Sequence, residues 1–334
     1  ASRLTGPLDM EKFTATLREI ARRQPAMRTR IGPDPDTGLP VQLIDDSVDI
    51  ELPLIDLSSI PADQREDQLR DRMQQLADSP IDIHRAPMFH VALFRMAEQD
   101  HAFVFVPHHL VWDGWSFDIL HTEMSTIYAA MLRGEPHGLP ELTATLGDFG
   151  EWYAQWTHGP AFQEQMKFWK SRFATAPKPR SPQTDMARRA GMSGQGELQW
   201  ITLDTSVTER LRDIARDLGV TLNMLTFGVY MLMMSRVIGS DAVIIATPVR
   251  GREAPETEPV MGFFNNVLLM ALEVDVAWSL RDFMQYVKRE LLLVMNHQQV
   301  MFEQLVAEPE FTGRTKGSGL YQAMYSFQDV RERP

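Results

Sequence analysis

The run HAFVFV, residues 101–106, alternates like a strand and is rich in β-formers. Within eight residues it gives way to WSFDILHTEMSTIYAAML, residues 115–132, whose apolar positions recur at helical spacing. A strand that feeds a helix this abruptly points to an α/β arrangement. It also places the intervening residues, PHHLVWDG, where the strand runs out and the helix begins. Strand ends and helix starts are where chemistry is often mounted, because a rigid scaffold there presents side chains and free amides.

The same alternation of elements extends along the chain. Residues 9–24 set apolar positions at helical spacing behind an Asp, and residues 61–78 read as a charged amphipathic helix. VQLIDD, VDIELPLIDL, MFHVALFRM and the run ending at His109 read as strands, the last two meeting at a turn around Glu98–Asp100. GDFGEWYAQW and FQEQMKFWKSRF read as helices. Residues 176–195, rich in Pro, Gly, Ser and Arg, form the clearest linker. Beyond it the pattern restarts. It predicts a strand at LQWITL, helices at 205–218 and 221–238, strands at AVIIATPV and FFNNVLLMALEV, a helix at 278–298 and a strand near YQAMYSF. The expectation is two α/β lobes: an N-terminal lobe over 1–175, an inter-lobe linker over 176–195, and a C-terminal lobe over 196–334. The ends, ASRLTGPLD and LYQAMYSFQDVRERP, read as cut within elements. A piece of a longer polypeptide is therefore expected, with the C-terminal lobe incomplete at its end.

Composition narrows the function classes. A length of 334 residues and an apolar fraction of 44% allow two sizeable cores. The formal charge of -12 argues against nucleic-acid binding, which needs a basic face. No apolar run approaches the roughly 20 residues that a membrane helix requires. With no cysteine, disulfides, thiolate zinc sites and a cysteine nucleophile are excluded, and a cytoplasmic setting is expected. The methionine run VYMLMMSRV reads as core helix.

The pattern His-His-x-x-x-Asp-Gly fixes His108, His109, Asp113 and Gly114. Chance would supply it on the order of once in a thousand chains of average composition. On a strand, adjacent side chains point to opposite faces, so one histidine can serve as a working base while the other packs or hydrogen-bonds nearby. An Asp four residues on can fix the loop by pairing with a buried cation. Gly114 leaves backbone room at a helix N-terminus, where N–H groups can receive an oxyanion. Adjacent histidines chelate one ion poorly and no third ligand lies at a helical offset, so no metal is expected. Ser116 has no Gly-x-Ser-x-Gly elbow around it and reads as a helix cap rather than a nucleophile.

With these residues in hand, HHLVWDGWS resembles the active-site motif of condensation domains of nonribosomal peptide synthetases, within the chloramphenicol-acetyltransferase-like superfamily. Four further motifs of that family find similar segments in the same order. They are GDFGEWYAQW at Asp148, Phe149 and Trp152; ATPVRGRE with Arg252; MGFFNNVLL at Gly262, Phe264 and Asn266; and NHQQVMFEQLV at His297, Gln298, Phe302, Glu303, Leu305 and Val306. Val267, Ala271, Gln299 and Met301 depart from the family pattern without touching the histidine motif.

The resemblance implies two chloramphenicol-acetyltransferase-like lobes in a V-shaped pseudo-dimer, with the active site in the tunnel between them. It implies catalysis at His109 with His108, Asp113 and Gly114, and an Asp113–Arg252 ion pair that is structural rather than a proton relay. Trp115 and Asn266 are candidates for the tunnel wall, although Phe263, Phe264 and Asn266 read as packing and sheet-edge residues rather than substrate contacts. His297 reads as a helix-cap or core histidine. The implied reaction joins an upstream acyl or peptidyl thioester to the amine of a downstream aminoacyl thioester. Both would arrive on the phosphopantetheine arms of carrier domains within the same synthetase, and the domain itself would bind no cofactor. Other readings are a free-standing coenzyme A-dependent acyltransferase of the same superfamily and an inactive docking module. Against the first stand the acidic charge and few lysines. Against the second stand His109 and Asp113, which such modules usually lack.

Overall fold

The computed structural model describes residues 1–176, 178, 180–186, 196–275, 277–312 and 319–328. The chain forms two compact units. One is built from Ala1–Tyr153 with Arg252–Phe264, the other from Ala154–Gly251 with the described residues from Asn265 on.

The first unit carries strands β1 (Ser2–Thr5), β2 (Thr29–Pro33), β3 (Pro40–Ile44), β4 (Leu54–Asp56), β5 (Phe89–Ala97) and β6 (Asp100–Pro107). Its main sheet runs β1-β6-β5-β4, antiparallel except for the β4–β5 pair, and β2–β3 forms a separate antiparallel ladder. Helices α1 (Met10–Arg23), α2 (Ala62–Asp78) and α3 (Gly114–Arg133) complete it, together with the start of α4 (Leu146–Trp156). The two-residue period of β5 and β6 explains why both sheet faces are covered. Phe89, Val91, Leu93, Phe103 and Phe105 point to one side, into a core shared with Phe13, Leu17 and Ile20 of α1 and Leu120 and Ile127 of α3. Ala92, Phe94, Met96, Ala102 and Val104 point to the other, against Leu69 of α2.

The second unit holds α5 (Pro160–Thr175), α6 (Thr205–Leu218), α7 (Leu222–Ile238), the antiparallel pair β7 (Ala242–Val249) and β8 (Asn266–Glu273), and α8 (Leu280–Met295). Its core gathers Trp169, Phe173, Phe227, Met231, Met284, Val287 and Phe311. Full burial of each such side chain contributes roughly 1.5–3 kcal/mol. From the methionine run, Met231 and Met234 enter this core while Met233 stays exposed.

The division departs from a first lobe of 1–175 in two places. Helix α5 belongs to the second unit because its buried face (Phe162, Met166, Trp169, Phe173) is part of that core. The segment Arg252–Phe264 belongs to the first, where Met261 joins the core and Arg252 pairs with Asp113. The expected linker lies for the most part outside the described residues. LQWITL is not a strand: Leu198, Trp200 and Ile201 are exposed, and among the described residues no strand pairs with them. The strand expected near YQAMYSF is reduced to a single parallel bridge between Ala246 and Met324. No single described helix is long and apolar enough to cross a membrane.

Candidate active site

Strand β6 ends at Pro107, which has no N–H to extend the ladder. Six residues then separate it from α3. Val111 and Trp112 are buried, and the Trp112 ring packs on Phe105 and Phe117 at centroid distances of 5.0 and 5.7 Å. These anchors leave His109 and Leu110 exposed on one tight turn of 3-10 helix. The histidines therefore differ by their turn, not by the two faces of a strand. His108 Nδ1 accepts the Leu110 N–H at 3.1 Å, capping the turn. His109 Nδ1 lies 2.6 Å from the carbonyl of Trp112. A carbonyl only accepts, so Nδ1 carries the proton and the lone pair of neutral His109 sits on Nε2. The imidazole meets the Phe263 ring at 5.2 Å and 84°, an edge-to-face pair.

Asp113 starts α3 as its N-cap, with extended backbone, and accepts the Ser116 N–H at 2.8 Å. The cap is thus Asp113, with Ser116 as its recipient, whereas the sequence reading gave capping to Ser116. The buried Ser116 hydroxyl donates to Asp113 at 2.7 Å and accepts the Gly262 N–H at 3.0 Å, which occupies it structurally. Asp113 also accepts the Phe264 N–H at 3.2 Å. The Arg252 guanidinium closes the node. Nη2 reaches Asp113 at 2.9 Å, with both side chains fully buried. Nη1 donates to the carbonyls of Thr257 and Val260 at 2.7 and 2.5 Å, and the guanidinium lies 4.0 Å from the centroid of the Phe264 ring. Among the described residues no hydrogen bond joins Asp113 to His109, so the carboxylate fixes backbone rather than relaying protons. At Gly114, the first residue of α3, an added Cβ would meet nothing within 4 Å, so open space adjoins the helix's first turn.

Other motif residues are mostly structural. Asp148 accepts from the Thr145 N–H and hydroxyl at the start of α4, and the Phe149 ring packs on Phe264 at 5.2 Å. Trp115 is half-buried and donates its indole N–H to the Glu258 carbonyl at 3.0 Å. It lines a depression of about 460 Å³ with Ile119, Leu139, Pro140, Leu142 and Pro259. Asn266, in the second unit, has no capacity left for a substrate. Its Nδ2 donates to the carbonyls of Gln298 and Val300, and its Oδ1 accepts the N–H groups of Val267 and Phe302. It ties the start of β8 to the 298–302 segment. His297 follows α8, with Nδ1 2.8 Å from the Leu293 carbonyl and its ring stacked on Phe168 at 3.7 Å.

Two contributors escaped the sequence reading. Gln24, fully buried at the end of α1, donates to the Pro259 carbonyl and accepts the Met261 N–H. Phe263 was read as packing but stands 39% exposed against His109. A polar residue at a helix end is a faint signal for the first, whereas nothing local marks the second.

A family model described as condensation domain matches residues 1–332. One of the linear gramicidin synthase proteins of Brevibacillus parabrevis is 32% identical over 331 residues, which is 99% of this chain and 6% of that protein. Tyrocidine synthase 3 of the same organism is 28% identical over 333 residues, 99% of this chain and 5% of that protein. The chain thus spans only a small part of the length of the curated relatives it matches. Among solved structures, the first condensation domain of the calcium-dependent antibiotic synthetase, in complex with a substrate analogue, aligns with a TM-score of 0.84 at 19% identity, covering 99% of this chain and 76% of that one. The X-domain from teicoplanin biosynthesis aligns with a TM-score of 0.83 at 20% identity, covering 96% and 71%. These likenesses show the chloramphenicol-acetyltransferase-like fold. With that fold, and with a family match that runs almost from end to end and includes His109, Asp113 and Arg252, the chain belongs to the condensation domain family.

Proposed function

We propose that this domain forms an amide bond between an acyl or peptidyl thioester donor and the amine of an aminoacyl acceptor, both tethered to carrier domains of a nonribosomal peptide synthetase. The observation that carries the reading is the state of His109: its Nδ1–H is committed to the Trp112 carbonyl, and its Nε2 lone pair is available on an exposed turn.

The chemistry follows from that atom. An α-amine has a pKa of about 8 and attacks only when neutral. Nε2 accepts one amine proton as nitrogen adds to the thioester carbonyl, and the same proton passes to the departing thiolate. The C–N bond forms, the C–S bond breaks and the histidine returns to its starting state. The tetrahedral oxyanion is placed at the N-terminal end of α3, beside the space that Gly114 leaves open, where the helix dipole favours negative charge. The Asp113–Arg252 node contributes rigidity, holding the start of α3 and the 257–264 segment in place. Tethering brings both reactants to one place, which supplies a large part of the rate. The thioester is already activated, so the step itself needs no further energy source.

Carrier delivery is supported by the net charge of -12, which suits a tethered donor better than a diffusing polyphosphate cofactor. The test supplies the same acyl group on coenzyme A and on a holo-carrier protein, each with a carrier-bound aminoacyl acceptor. Amide formation should be at least about tenfold faster with the carrier donor, as an effective-concentration advantage requires. Equal or faster reaction from coenzyme A would overturn carrier dependence in favour of a free-standing acyltransferase.

A further inference from the structure

Four residues, 261–264, run past the candidate base, and three of their backbone amides are held by side chains from elsewhere in the same unit. The Met261 N–H goes to Gln24, the Gly262 N–H to Ser116 and the Phe264 N–H to Asp113, at 2.9, 3.0 and 3.2 Å. Upstream, the carbonyls of Thr257 and Val260 are held by Arg252, and that of Glu258 by the Trp115 indole. A segment anchored at so many points is a rigid mount, and what it presents is set in advance.

Its two phenylalanines have opposite fates. Phe264 is 1% exposed and lies under the Arg252 guanidinium. Phe263 is 39% exposed and sets its ring edge-to-face against His109. A single exposed apolar side chain needs no explanation. This one differs because its mount is fixed and because it touches the group proposed to carry the reaction. On the other side of the base in sequence, Leu110 is also 44% exposed. Neither Phe263 nor Leu110 offers a side-chain hydrogen bond to a substrate.

Resting on the amide-forming function proposed above, we infer that Phe263 is a specificity-determining residue. Its exposed ring face receives an apolar side chain carried on the carbon next to a reacting centre. That side chain belongs to the donor or to the acceptor amino acid; the chemistry is the same, and the experiment separates the two. Apolar contacts of this size discriminate by roughly 10- to 200-fold per group.

The experiment measures kcat/KM for carrier-bound pairs in which the donor or the acceptor side chain is changed from methyl-sized to leucine-sized, one partner at a time. With Phe263→Ala, the preference of one partner for the larger side chain should fall about tenfold. Phe263→Leu should restore most of it, and the pH midpoint of kcat/KM should stay where the wild-type protein has it. Should the alanine variant fail to fold, Phe263→Val, which also withdraws the ring but keeps a branched apolar side chain, reads the same ratio with a smaller expected fall. An equal loss for every substrate, or a moved pH midpoint with unchanged preference, would show that the ring only positions His109 and would overturn the inference. Absence of any effect would overturn it too. If the wild-type protein makes no amide from any carrier-bound pair, the proposed function itself fails and takes this inference with it.

Discussion

Two buried arginine–carboxylate pairs grip the same helix, α3, and they are built differently. At its start, Asp113 meets Arg252 at 2.9 Å with both side chains fully enclosed. Further along, Glu123 meets Arg23 at 3.3 Å, again with both side chains buried. The first pair is surrounded by backbone. The amides of Ser116 and Phe264 point at the carboxylate, and the carbonyls of Thr257 and Val260 receive the guanidinium. In the second pair, one carboxylate oxygen takes both Arg23 and Gln24, while Oε2 of Glu123 and Nε and Nη1 of Arg23 have no hydrogen-bond partner among the described residues. Burial pushes the Glu123 carboxyl above the usual glutamate range, against the pull of Arg23 and Gln24. Burial alone therefore does not measure what an ion pair does. The Asp113 node organises the backbone on which the candidate site stands, whereas the Glu123 pair is costly to bury and incompletely repaid.

Breaking each pair should separate the two roles. Arg252→Ala leaves Asp113 buried without its cation and frees two carbonyls, so it should cost about 3–5 kcal/mol in thermal or denaturant unfolding, with condensation lost in step. Replacing both members, as Asp113→Leu with Arg252→Met, should not rescue it, because the backbone groups of Ser116, Phe264, Thr257 and Val260 would remain unmet. Stability equal to wild type in that double variant would show that the node is dispensable.

Ser116→Ala removes one buried hydroxyl that bridges Asp113 and Gly262, and should cost roughly 1–2 kcal/mol while most turnover survives. Turnover falling by several orders of magnitude with stability intact would instead make the serine a nucleophile.

No loss of stability is expected at the other pair. Arg23→Met with Glu123→Leu should be neutral or stabilising by about 1–4 kcal/mol at neutral pH. The pH dependence gives an independent check. A carboxyl whose folded pKa is raised binds its proton more tightly in the folded state, so stability falls as pH rises from the ordinary glutamate range through the raised value. Glu123 should contribute that downward slope, and the double variant should lack it. An unchanged pH–stability profile would contradict the account of this pair.

What was legible in the sequence was local. Helices α1, α3 and α6 to α8 followed from periodicity, with the leading Asp9 marking the start of α1; the caps at Asp113, Asp204, Thr221 and Ser279 emerge only in the structure. The hairpin β5–β6 followed from alternation around its turn. The Asp113–Arg252 pairing was reached across the chain because the motifs carrying both residues were recognised. LQWITL failed because alternation states only that a segment would suit a sheet; it cannot supply the neighbouring strand. Gln24 and Phe263 were missed for a related reason. One meets Pro259 and Met261, the other meets His109, and no periodicity within a window reports a partner so far away in sequence. Asn266 read both as a tunnel candidate and as a packing and sheet-edge residue, and only the fold reveals which groups its amide meets.

The central claim is that His109 does chemistry on a scaffold which stands without it. The direct measurement is His109→Ala, followed in parallel by single-turnover amide formation with loaded carriers and by thermal unfolding. His109 is exposed and its ring is hydrogen-bonded to the Trp112 carbonyl alone among the described residues, so stability should change by less than about 1 kcal/mol. Amide formation should fall by roughly 10²- to 10⁴-fold, the contribution of a positioned acid–base group. Near-normal turnover from a folded His109→Ala protein would contradict the account, as would a loss of activity that merely tracks a loss of folding.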